Sequence, residues 1–446
     1  MGLILFALYG AAILAVTLGA RRAASGEDSF FVNRRSSSAG LVMFSILASC
    51  VGASATIGTV GLAFKVGTPA FWWLGSGAAG LSVLAIFLAG RVRRSQARTL
   101  PEMVEQVLGA RARRLISALI VVAWLAILAA QFTAMGQVTA ALTGLSPLSA
   151  LFSGALLITA HTIGGGQAAI IRLDRWQGLA MVAGLALTAV WLAGRPGPAL
   201  AGIRLEVVNE SFPVSRLIYF LLILGGSYVV CPMLFGRLLS AADEGAARRG
   251  ALGAVAGLVL VSALIVFIGL RSRGLIDPAT PGDAVLTTVL ESVLPGWLAA
   301  VIQVALLSAI VSSADSCLVT AGLILAYDLR GRGDVAASRQ CLALLAALGL
   351  ALTFSGRGIL NYLLMANDIY VCGVVGPVFI TLLQPASRRP HLTLIALAIG
   401  SGGLLGLASA LTGSHGCGYA GLAASILFTV LSFQRPYFLL DRRLRL

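Results

Sequence analysis

Apolar residues run along this chain in blocks of about 20, the length that crosses the hydrocarbon core of a bilayer as a helix. Thirteen blocks can be marked: roughly 3–20, 39–63, 70–90, 115–142, 147–163, 173–193, 217–236, 250–270, 297–326, 339–354, 360–383, 391–411 and 417–433. The pattern predicts an all-α polytopic membrane protein of about thirteen transmembrane helices. Arg21 and Arg22 follow the first block and nothing basic precedes it, so it reads as a retained helix and not as a signal peptide. Between blocks three and four, Thr99 and Pro101 followed by early acids predict a short amphipathic helix over 99–110.

Small residues interrupt two blocks. The second contains Ala53-Ser54-Ala55-Thr56-Ile57-Gly58-Thr59; the seventh contains Gly225-Gly226-Ser227-Tyr228, with Pro232 beyond. Blocks two to six and seven to eleven form two sets of five. Five is odd, so the sets insert with opposite orientation, and each begins with an interrupted helix. Unwinding at such places frees carbonyls for a cation and hydroxyls for a solute, while glycine-mediated close packing is the blander reading. The chain divides accordingly into 1–38 (an extra helix and loop), 39–193 (first five-helix repeat), 194–385 (outer loop and second repeat) and 386–446 (two further helices and a short basic tail).

At 58% hydrophobic and 11% charged residues, with a mean hydropathy of +0.95, the composition excludes a soluble domain with an ordinary polar surface. The net charge of +15 would suggest nucleic acid in a soluble protein, but its distribution argues otherwise. Twenty-five arginines fall in one alternating set of connections and the tail, against six in the opposite set, with Lys65 at a span end. This asymmetry predicts a multi-pass protein of the cell (inner) membrane with its N-terminus outside and its C-terminus cytoplasmic. Anionic lipid, not nucleic acid, is the expected partner of the basic loops. The outer connections 194–216 and 271–296, rich in proline and acids, read as solvated loops or as short helices or lids. Six scattered cysteines without a C-x-x-C pair and three isolated histidines point to no redox or His/Cys metal chemistry.

The stretch Leu306–Ala326 carries the sharpest chemistry. Ala309, Ser312, Ser313 and Ser316 fall at i, i+3, i+4 and i+7, one face of a helix, with Asp315 beside them. An acid at the bilayer centre costs roughly 2.5–3.5 kcal/mol on insertion scales and is a functional candidate by default. A serine face that only lets helices pack closely is the alternative.

Several strings, in order, resemble the sodium:solute symporter family: Asp28-Ser29-Phe30-Phe31-Val32-Asn33-Arg34-Arg35; Ile57-Gly58 with Gly61; Gly165-Gly166 with Leu173-Asp174-Arg175-Trp176-Gln177; Gly236-Arg237-Leu238-Leu239-Ser240-Ala241-Ala242-Asp243 with Ala247-Arg248-Arg249-Gly250; and Ala309–Ser316. The resemblance covers about residues 28 to 385. It implies the five-plus-five inverted-repeat fold of the bacterial leucine transporter with one extra helix before it, and a sodium site. Carried over position by position, that site is the backbone of Ala48, Val51 and Ala309 with the hydroxyls of Ser312 and Ser313. Oxygen ligands without net charge suit the hard cation Na⁺. Some members hold a second sodium, and the matching positions are Asp174, Asp315 and Ser316. Asp315 stands where those members have a hydroxyl, so two carboxylates are expected to meet there, for a second Na⁺ or a shared proton.

For the solute, the positions that bind sugar hydroxyls in one branch are here Ala55 and about Leu74, which argues against a sugar. The candidate pocket is Ser54, Thr56, Trp72, Trp73, Gln131, Ser227, Tyr228, Asn367 and Asp368. Asp368, about 12 Å into its span, would favour an ammonium-bearing solute if it faces the pocket, or else ties the gate helix in place. The expectation is therefore a sodium-coupled symporter of a small polar solute, such as an amino acid, amine or organic acid. Proton-coupled or uncoupled transport on the same fold is the first alternative. A membrane sensor is disfavoured by a tail of thirteen residues after 433, too short for an output domain, and no nucleophile–base pair suggests an enzyme.

Overall fold

The computed structural model describes residues 2–23, 27–195, 205–385 and 389–434. Among the described residues the structure is helical, with only isolated β-bridges. The long elements are α1 (Gly2–Ala23), α2 (Ala39–Cys50), α3 (Ser54–Val66), α4 (Thr68–Arg94), α5 (Leu100–Thr143), α6 (Pro147–Ala193), α7 (Val214–Leu239), α8 (Glu244–Ser272), α9 (Gly296–Leu329), α10 (Val335–Thr353), α11 (Ile359–Leu383), α12 (Leu392–Thr412) and α13 (His415–Ser432). Eleven of the described helices are long and apolar enough to cross a bilayer, twelve when the bent pair α2–α3 counts as one span.

The expected count of thirteen differs because blocks 147–163 and 173–193 share the single 47-residue element α6, whose helical geometry breaks only at Gly166 (φ 58°, ψ −163°). Straight, α6 would measure about 70 Å, more than twice the hydrocarbon thickness. Gly166 also permits a close approach: a Cβ there would lie 2.4 Å from the Phe30 ring. Two of the recognised strings thus meet physically. The expected helix over 99–110 forms the start of α5, where Thr99 caps by accepting from the Glu102 amide (3.2 Å), and it is set off from the long span by Gly109 (φ 78°, ψ 173°).

Both interrupted blocks are broken. The axes of α2 and α3 differ by 64°, and helical geometry fails at Val51 (φ −103°, ψ 71°). In α7 it fails at Val230 (φ −130°, ψ 77°) and Cys231 (φ −107°, ψ 120°), after which Pro232 starts the second half without a donor to waste. Buried backbone groups need partners, and side chains supply some: Gln131 Oε1 accepts from the Ala53 amide (3.1 Å) and the Tyr370 hydroxyl donates to the Val230 carbonyl.

α9 is the most buried span; it packs against α2, α5 and α6. The connection 271–296 is more than a solvated loop, because Val285, Leu286, Val289 and Leu290 line one face of a short helix, Val285–Val293, and bury it. Asp283 at its start accepts from the Ile359 amide (3.0 Å). Residues 196–204 of the other connection, with Pro196, Pro198 and Arg204, lie outside the described residues, as do Arg388 and the tail after 434. At the end carrying most basic connections, Arg93 donates to the carbonyls of Ala241 (2.6 Å) and Ala242 (3.0 Å), while Arg94 pairs with Glu244 (2.7 Å).

Candidate functional site

The serine face of α9 turns inward. Ser312, Ser313 and Ser316 are all buried, and the face splits into two clusters. In the first, the Ser313 hydroxyl lies 3.1 Å from the Ala48 carbonyl and 3.0 Å from the Ser49 carbonyl, at the end of α2 where the helix unwinds. Gly52, at the break, is held so close that a Cβ would sit 2.5 Å from Ser313 Oγ and 2.8 Å from Gln131 Oε1. The result is a cradle of uncharged oxygens between α2 and α9, which fits a monovalent hard cation. Ala48, Val51 and Ala309 are buried beside it.

In the second cluster Ser312 donates to Asp174 Oδ1 (2.6 Å) and Ser45 donates to Asp174 Oδ2. Arg237 Nη2 lies 3.3 Å from Asp174 Oδ2, donates to Ser49 Oγ (3.2 Å) and also donates to Ser316 Oγ. Asp174, Arg237 and Ser316 are completely or almost completely buried. Arg237 looks from its place in the chain like one more charge of a connection, since the apolar block ends at 236. Instead the second half of α7 carries it inward. Neither Arg237, Ser45 nor Ser49 was legible as a site residue; the one available signal was an arginine flanked by Phe235 and Leu238 in an unbroken helical register.

Asp315 faces elsewhere. Thr162 donates to its Oδ1 (2.5 Å), and His161 Nε2 lies 3.0 Å from its Oδ2. Thr17, from α1, reaches His161 Nδ1. The two carboxylates expected to meet share no hydrogen-bond partner: Asp174 takes the α2, α7 and α9 groups, Asp315 those of α6. Threonine and histidine on one turn of α6 are what draw Asp315 away.

Beside the first cluster lies a cavity of about 70 Å³. Ser54, Trp73, Gln131, Ser227, Tyr228 and Asn367 line it as expected, together with Ser49, Cys50, Trp124, Cys231 and Ser313. Its lining holds hydroxyl, amide, thiol and aromatic groups, with Ile127, Leu224, Met233, Leu234 and Leu363 making up an apolar part, and no carboxylate or cation. Thr56 and Asp368 do not line it. The Thr56 hydroxyl turns back onto the Gly52 carbonyl (2.8 Å). Asp368 is held between α7 and α12, accepting from Tyr219 OH (2.6 Å) and Ser409 Oγ (2.9 Å). Trp72 lines a separate hollow with Phe71.

Comparisons with known proteins bear on the family and the fold. Residues 30–332 match the model of the sodium:solute symporter family. Among curated proteins, a sodium/pantothenate symporter of Haemophilus influenzae is 26% identical over 221 residues, 47% of this chain; the match spans 46%, about half, of that relative's length. Among solved structures, a Na⁺-coupled sialic acid symporter in a substrate-bound, outward-open state superposes with a TM-score of 0.81 at 15% identity, covering 96% of each chain. Mhp1, a nucleobase-cation-symport-1 family transporter in a closed conformation with bromovinylhydantoin bound, gives 0.56 at 15% identity over 90% of this chain and 93% of its own. These likenesses establish the fold, that of Na⁺-coupled transporters, in a multi-pass membrane protein. With two thirds of its length inside the family model, the chain belongs to the sodium:solute symporter family.

Proposed function

We propose that this protein is a sodium-coupled symporter that takes up a small polar solute by alternating access. The observation that carries the reading is Ser313: one side chain borders both the oxygen cradle at the α2 break and the cavity. Na⁺ held by the carbonyls of Ala48, Val51 and Ala309 and the Ser313 hydroxyl ties α2 to α9, and Ser312 adds an oxygen lone pair to it while donating its proton to Asp174. The ion's different affinity for the outward- and inward-facing states is what couples its gradient to the solute.

The solute binds at Ser54, Trp73, Gln131, Ser227, Tyr228 and Asn367. With neither a carboxylate nor a cation in the lining, a charged group finds no counter-charge there, and the hydroxyl and amide groups suit the neutral polar groups of the solute. Asp368 acts as a tie between α7, α11 and α12. The protein resides in the inner membrane with its N-terminus outside and its basic connections cytoplasmic, and residues 39–193 and 194–385 form its inverted repeats.

The test is thermal stability of the purified protein in NaCl against choline chloride at equal ionic strength. A ligand that binds only the folded state stabilises it, so NaCl should raise the melting temperature of the wild type and not of Ser312→Ala/Ser313→Ala. A folded wild type indifferent to Na⁺ would overturn sodium coupling.

A further inference from the structure

Three arginines stand within one turn of α5, just past the break at Gly109, and they face different surroundings. Arg113 turns inward and pairs with Glu105 (2.6 Å) and Asp328 (2.7 Å). Arg111 and Arg114 are exposed, and among the described residues neither joins an ion pair. Both line a groove of about 420 Å³ between α5 and the first turns of α12. Leu108, Ala112, Leu392 and Ala396 give the groove an apolar wall, and no acid lines it. Two apolar stripes lead away from it along the helices. On α5, Arg111 shares a face with Leu115, Ala118 and Val122; on α12, Thr393 shares one with Leu397 and Leu404, and all of these are exposed. The rise from Arg111 to Val122 is about 16 Å, about half the hydrocarbon thickness of a bilayer. The groove lies where the connections 91–114 and 384–390 meet the helices, and both belong to the arginine-rich set of connections.

We propose that this groove binds one anionic phospholipid, its phosphodiester on Arg111 and Arg114 and an acyl chain along the stripes of α5 and α12. The physical basis is complementarity at both ends of the ligand. A solvated basic face needs no apolar wall, and a stripe that merely faces lipid needs no pair of guanidiniums free of acids. The two together match a molecule that is anionic at one end and apolar along the rest. Guanidinium donors suit phosphate oxygens, and the anionic headgroups of the cytoplasmic leaflet attract basic residues placed next to a span. Arg113, between the two, is already neutralised by Glu105 and Asp328 and is not needed for the site. The bound lipid would join α5, a helix of the first repeat, to α12, which lies outside both repeats. The inference takes from the reading above only the orientation that makes this face cytoplasmic, and it stands or falls apart from sodium coupling.

The experiment is native mass spectrometry of the full chain, delipidated in non-ionic detergent without Na⁺ and titrated with phosphatidylglycerol or with phosphatidylcholine of the same acyl chains. The wild type should retain one phosphatidylglycerol at concentrations where it retains no phosphatidylcholine. Arg111→Gln/Arg114→Gln should weaken phosphatidylglycerol binding by roughly 30-fold, the headgroup attraction of two arginines, and leave phosphatidylcholine unchanged. Arg248→Gln/Arg249→Gln, which removes two exposed arginines of another basic connection, should leave the bound phosphatidylglycerol in place. Thr393→Phe, which fills the groove and keeps both charges, should also lower phosphatidylglycerol retention. Equal losses in the two arginine pairs would show a general attraction to the basic face and overturn the proposal. Binding indifferent to Thr393→Phe would show charge without a seat for the chain and overturn it too, as would equal retention of the two lipids by the wild type. If the double variant does not fold, Arg111→Gln and Arg114→Gln carry the same test singly, at roughly fivefold each, and no loss in either overturns the site.

Discussion

Ser313 and Ser312 are neighbours on one helix, yet they serve clusters of opposite electrostatic character. Around Ser313 the partners are the neutral backbone carbonyls of Ala48 and Ser49, at a place where α2 has unwound and a cavity adjoins. Around Ser312 the partners are a carboxylate and, through it, a guanidinium, both cut off from solvent. A neutral oxygen cradle gains from a cation and can release it; a balanced ion pair has no such need. In the proposed sodium site, the contrast would let one serine row hold an exchangeable ion beside a fixed charge.

The largest expected effect breaks the charged cluster. Asp174→Asn strands Arg237 in the interior, and losing one partner of a buried pair costs about 3–5 kcal/mol, readable as a drop in denaturation midpoint in detergent. If that variant is nearly as stable as the wild type, the pair is not balanced as described. Next comes the neutral cluster. Gly52→Ala would force a methyl group into Ser313 and Gln131, an overpacking cost of about 1–3 kcal/mol, and should abolish the Na⁺-specific rise in melting temperature. Of similar or smaller size, Gln131→Ala leaves the Ala53 amide without its acceptor at a cost of about 1–3 kcal/mol, and it should also weaken solute binding in an uptake assay run with Na⁺.

Asp368→Asn sharpens the comparison from outside both clusters. Because Tyr219 and Ser409 hold this carboxylate away from the cavity, the variant should keep the KM for the transported solute within about twofold, since KM tracks contacts the substrate makes. A much larger rise in KM would put Asp368 back in the pocket. The smallest effect belongs to the Arg94–Glu244 pair, with side chains 72% and 44% exposed. Arg94→Ala should leave the melting temperature unchanged at physiological salt, where an exposed pair is screened.

Much of this was legible from the chain alone, for reasons that are local. A run of apolar residues must be helical in lipid, because no water is there to pair the backbone, and the blocks fall where the helices are. Ser227, Tyr228 and the break near Pro232 were visible because small residues and proline interrupt such runs. Asp315 was visible as an acid in oil, but not its partners, since His161 lies 154 positions away in sequence and nothing local pairs them. The break at Gly166 falls in the gap between the blocks 147–163 and 173–193, where Gly164, Gly165 and Gly166 stand in a row; what the sequence did not show is that both blocks run through it as one element.

What the sequence by itself determined is the membrane class, the helix positions, the two broken helices and the serine face of α9, each a matter of residues within a turn or a span of one another. The tertiary structure decided which serine faces neutral carbonyls and which faces Asp174, that Asp368 leaves the pocket, and that Arg237 enters the core. Those outcomes depend on what four separate helices bring to one point. A buried charge is tolerated only where distant groups complete its coordination, and that completion exists only once the chain is folded.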